Sequence, residues 1–80
     1  MKKTPLMDYL REIMNELHGQ DNGKFLMISR VRQHFGNMLE DFTVNNLDEV
    51  KAKTEEIIQR TDLTNAESEL IAFITDRMIV

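Results

Sequence analysis

Ile28, Val31, Phe35, Met38 and Phe42 are spaced three, four, three and four residues apart. A seam with that spacing lies along one side of a helix and needs a second helix to cover it. Arg30, Arg32 and Gln33 fall off the seam. Gly36 interrupts it, at a cost of about 1 kcal/mol relative to alanine in a helix interior. Buried seam side chains contribute about 1.5–3 kcal/mol each. One helix across 25–42 therefore tolerates the glycine, which would also let a neighbouring helix approach closely. Two other readings compete with this one. In the first, Gly36 stops a helix, Asn37 caps the next with Glu40 at the box position, and the pair forms a helix-turn-helix. Its reading helix would be "NMLEDFTVNN", whose Glu40 and Asp41 repel phosphate, while Arg32 crowds the helix crossing. In the second, "KFLMI" and "DFTV" pair as short strands.

Three further helices are expected around the seam. Thr4 suits an N-cap and Pro5 the first helical position. Leu6, Leu10, Ile13, Met14 and Leu17 then make one stripe, and Gly19 reads as the stop, giving a helix over 5–18. "GQDNGK" reads as a turn. Asn46 and Glu49 have capping-box spacing before a helix over 47–60, whose apolar face, Leu47, Val50, Ile57 and Ile58, is interrupted by Thr54. "TNAE" at 64–67 fits a capping box for a last helix over 65–78. Its "LIAFITDRMIV" places apolar groups on all sides, which implies burial from several directions or docking of a partner. The expected fold is all-α: a small compact bundle of three to four helices, with 1–80 as a single helical domain.

Eighty residues bury only roughly 60% of the surface that the unfolded chain exposes, so such cores are often stapled. The chain has no cysteine, hence no disulfide, and its two histidines have no metal-ligand spacing. A partner chain is the remaining staple. No apolar run is long enough for a membrane span. Asp8, Arg11 and Glu12 interrupt any signal-peptide core after the two N-terminal lysines. A cytoplasmic protein is expected. Charge is uneven. Residues 1–39 carry six Lys/Arg and four Asp/Glu, whereas residues 40–80 carry four and ten. That balance lacks the broad basic footprint of most nucleic-acid binders.

Catalytic chemistry has little footing. Gly19, Gly23 and Gly36 form no phosphate loop, and "DNG" lacks the alternating acids of a calcium loop. Ser29 and Ser68 have no neighbouring base in sequence. His34 reads as a surface side chain, and His18 suits the negative end of the first helix. Glu12 and Glu16, one turn apart, read as a solvated acidic face before they read as metal ligands. The six methionines read first as core filling. No catalytic, cofactor or metal site is expected, and no small-molecule substrate.

The expected function is a non-enzymatic protein–protein interaction domain of the regulator or inhibitor type, self-associating as a homodimer or binding another protein. Its contact residues would be Leu70, Phe73, Ile74, Met78 and Ile79. The runner-up is a DNA-binding transcriptional regulator with a helix-turn-helix around Gly36, using Lys24, Arg30 and Arg32. A third reading is an acidic decoy, with the carboxylates of 40–76 occupying a basic nucleic-acid-binding surface on another protein.

Overall fold

In a computed structural model of the chain, residues 5–36 and 43–79 are described. Helix α1 spans Pro5–Leu17 and buries Leu6, Leu10 and Ile13, with Met14 and Leu17 packed beside them. Proline's fixed φ suits the first turn, where its missing N–H has no partner to lose. Past the end, Gly19 adopts φ 80, a left-handed conformation that glycine takes without steric cost. Thr4, the expected cap, lies outside the described residues.

Helix α2 spans Asn22–Gly36, and so begins three residues before the expected start. "DNG" is a helix start and not a turn. The Asp21 carboxylate accepts the Lys24 N–H at 3.1 Å, and its carbonyl accepts the Phe25 N–H at 2.9 Å. Met27, Ile28, Val31 and Phe35 form the buried face, which bears out the first three seam positions. Met38 and Phe42 lie outside the described residues. "FLMI" is helical, as the seam predicts, so the alternative in which "KFLMI" pairs with "DFTV" does not hold. Instead Thr43–Val44, strand β1, pairs antiparallel with Met78–Ile79, strand β2, in the register Thr43 to Ile79 and Val44 to Met78.

Helix α3 spans Leu47–Ile57 and uses the expected cap. Asn46 accepts the Glu49 N–H at 3.3 Å, and its amide donates back to the Glu49 carboxylate at 3.1 Å. The helix closes three residues earlier than expected, because the Gln59 and Arg60 N–H groups turn to the Glu56 and Ile57 carbonyls in i→i+3 bonds. Thr54 does not interrupt the buried face. It is fully buried within it, and its hydroxyl donates to the Val50 carbonyl at 2.8 Å.

Helix α4 spans Leu63–Thr75, starting two residues and ending three residues before the expected 65–78. The "TNAE" box is not used. Asp62 is the N-cap residue, and its carboxylate is taken by Arg60 rather than by a helix N–H. Leu63 packs where α2 begins, so close that a Cβ on Gly23 would stand 3.1 Å from its Cδ1. The buried residues of α4 are Ala66, Leu70 and Ile74, a single stripe with i, i+4, i+8 spacing. Apolar groups do not surround it, because Met78 and Ile79 have left the helix for β2.

Among the described residues, the fold is thus an all-α bundle of four helices with one two-residue ladder. Helix α1 packs on α2 and α3, and α4 packs on α2 and α3. Twelve buried hydrophobic residues from all four helices make one cluster.

Candidate functional site

The five residues expected to contact a partner do not form one external surface. Leu70 and Ile74 are 0% exposed inside the chain's own core, which removes them as anchors. Phe73 is partly buried, and its ring already carries cations of the same chain. The Arg77 guanidinium lies 3.6 Å from the ring centroid and the Lys53 ammonium 5.7 Å. Met78 packs partly buried against the core from β2, and Ile79 pairs through its backbone in the same strand. Leu26 is the one exposed large hydrophobic side chain among the described residues, and a lone exposed leucine is ordinary.

Lys24, Arg30 and Arg32 are not gathered either. At 3.6 residues per turn, Arg30 and Arg32 point about 160° apart around α2. Arg30 pairs with Glu67 of α4 at 2.6 Å, Lys24 lies 3.8 Å from Asp21, and Arg32 donates to the Met7 carbonyl at 3.3 Å. The second helix of a helix-turn-helix would run over 37–46, but Thr43–Val44 is extended and Asn46 is left-handed at φ 56. His34 is exposed, as expected, with its ring edge-on to Phe35 at 4.9 Å.

Opposite charges outside α1 are largely matched to one another. Glu69 takes Lys53 at 3.1 Å and Arg60 at 2.7 Å, Arg60 also holds Asp62, and Arg77 reaches Glu49 at 2.8 Å. These contacts hold the Glu69, Asp62 and Glu49 carboxyls below their ordinary range. The dominant cause is a hydrogen bond from Lys53, Arg60 and Arg77 respectively.

Helix α1 differs. Asp8, Glu12 and Glu16 recur every fourth residue along its exposed side, and none has an ion pair among the described residues. Like charges at i, i+4 repel by a few tenths of a kcal/mol. Beside them, α1 and α3 enclose an open groove of about 450 Å³, lined by Tyr9, Glu12, Ile13, Asn15, Glu16 and Glu55. Tyr9 is one of its polar lining groups. The phenol donates to the Lys51 carbonyl at 3.3 Å, and the Lys51 ammonium lies 5.3 Å from the ring centroid. Burial, with the negative charges of Glu55, Glu16 and Glu12, pushes the Tyr9 hydroxyl up to about 12. The Glu12, Glu16 and Glu55 carboxylates that line the groove are suited to pairing with a cationic side chain. Among the described residues, no cluster of three or more histidine, aspartate or glutamate side chains is arranged to hold a metal.

In the sequence, Glu12, Glu16 and Glu55 read as solvated faces, and Tyr9 has no assigned role. Tyr9 sits at the edge of the α1 stripe, next to Leu10 and one turn before Ile13, and that was the available signal. Glu55 joins the groove only because α3 crosses α1. Comparison of the chain with protein-family models, curated proteins and solved structures gives no match. No described helix is long and apolar enough to cross a membrane.

Proposed function

We propose that the chain is a non-enzymatic protein–protein interaction domain of the regulator or inhibitor type, and that it meets a basic protein partner through the groove between α1 and α3. One observation carries this reading. Most described lysines and arginines are held by the chain's own carboxylates, while Glu12, Glu16 and Glu55 stand without ion pairs around the Tyr9 ring. A lysine or arginine side chain entering the groove would relieve the like-charge repulsion along α1, worth about a few tenths of a kcal/mol per pair.

Self-association has less support than the sequence suggested, since its chief warrant was an α4 apolar on all sides. The decoy reading changes address. Much of the acidic charge of residues 40–76 is matched internally, and the unmatched groove carboxylates belong mainly to α1. The test is a titration of the isotope-labelled chain with a lysine-rich peptide at low salt, followed by amide chemical shifts. Shifts centred on Tyr9, Glu12, Ile13, Glu16 and Glu55, abolished by the triple variant Glu12→Gln, Glu16→Gln, Glu55→Gln, are expected. Shifts centred elsewhere, or unchanged binding by the triple variant, would refute the groove.

A further inference from the structure

We propose that the segment after α4 is a strap, fastened by Arg77, that opens as a unit of its own without melting the four-helix core. The proposal does not depend on the groove. Three elements meet at Arg77. Its guanidinium carbon lies over the Phe73 ring, 3.6 Å from the centroid, and Nη1 donates to the Phe73 carbonyl at 3.3 Å, both on α4. Nη2 donates to Glu49 Oε1 at 2.8 Å, on the first turn of α3. The Arg77 carbonyl accepts the Asn45 N–H at 2.7 Å, on the approach to α3. Beyond it, β2 adds only a two-residue ladder with β1. A two-stranded ribbon is marginal by itself in water even when longer, so the Arg77 contacts hold the strap down.

The burial pattern marks where the strap ends and the core begins. Val44, Leu47, Phe73 and Met78 are partly buried against the cluster. Val50, Leu70 and Ile74 are fully buried in it. Lifting 76–79 would uncover Val44, which pairs with Met78, and the Phe73 ring under Arg77, and leave the helix-to-helix packing of the second group in place. The fastening is also at the surface. The side chains of Arg77 and Glu49 remain 26% and 46% exposed, so salt weakens the pair. Low-stability units of this kind, with exposed hydrogen bonds over a cooperative core, are where proteins open locally. Opening would display an apolar strip and two strand edges that the closed chain hides. The strap thereby controls access to an apolar surface according to ionic conditions.

Amide hydrogen exchange on the full chain tests this. The Asn45 N–H reports the strap, and the Leu70 and Ile74 N–H groups report the core. The Asn45 amide is expected to exchange faster than the core amides in the parent protein. Its rate should rise about two- to five-fold in Arg77→Gln and in Glu49→Gln, and in the parent on going to roughly 1 M salt, with Leu70 and Ile74 unmoved. Arg77→Gln separates the strap from the α3 cap, which Glu49→Gln also touches. Asn45 exchanging at the rate of the core amides in the parent would overturn the proposal. So would a proportional rise at all three amides in Arg77→Gln, or no change there.

Discussion

Phe35 is 1% exposed at the centre of the seam, among side chains from other helices. Phe35→Ala is expected to cost about 3–5 kcal/mol, read as a lowered denaturant midpoint, because a large buried ring leaves a cavity the core cannot fill. A midpoint near the parent's would contradict the core assignment. Tyr9 makes a second expectation at this scale. Its hydroxyl titrates at about 12, above the ordinary 10.0. The raised value means that the fold disfavours the tyrosinate. Stability from this group is whole below pH 10 and is lost as pH rises through 12. Alkaline absorbance titration should place the folded phenol well above the unfolded one, and Glu55→Gln should bring it down. The buried seam was legible because helical spacing alone singles out Ile28, Val31 and Phe35. Thr54 was misjudged for the opposite reason. Its type says polar, and only the folded helix supplies the Val50 carbonyl that lets its hydroxyl be buried.

At the scale of the helices, caps separate what local sequence determines from what packing determines. Asn46 was readable, since its two bonds run to Glu49 three residues on. Asn46→Ala is expected to cost about 1–2 kcal/mol in thermal or chemical unfolding, toward the upper part of the usual range. Alanine loses the cap and is also disfavoured at positive φ. An unchanged stability would deny the cap a role. The "TNAE" box was equally plausible in sequence but is passed over, because Leu63 joins the helix where it meets the start of α2. Likewise, the apolar run after Glu69 looked like one element, and the β1–β2 ladder divides it. Thr75, Asp76 and Arg77 mark the break within the run, but not the strand that follows it, whose partner lies more than thirty residues away. The ion pairs between elements set a pH limit. Glu49, Asp62 and Glu69 ionise below the ordinary 4.5 and 3.8 of Glu and Asp. Their contribution is present above those values and is lost as pH falls through the lowered ones. A denaturant midpoint that declines on acidification, and declines less in Arg60→Gln, is the expected result.

At the scale of the whole molecule, the all-α class followed from the seam and two usable helix starts. The surface did not follow, because it depends on which charges find partners across helices. Arg30 meets Glu67, and Arg60 and Lys53 meet Glu69, at separations that no local pattern reveals. The same packing closes Leu70 and Ile74 inside one chain, leaving charge rather than an apolar strip as the external feature in the closed state. Sedimentation equilibrium from micromolar to millimolar concentration at moderate salt tests this most directly. The mass of a single chain at every concentration is expected. A mass rising to that of two chains, and returning to one when Phe73 and Met78 are made polar, would contradict a core that the chain closes by itself.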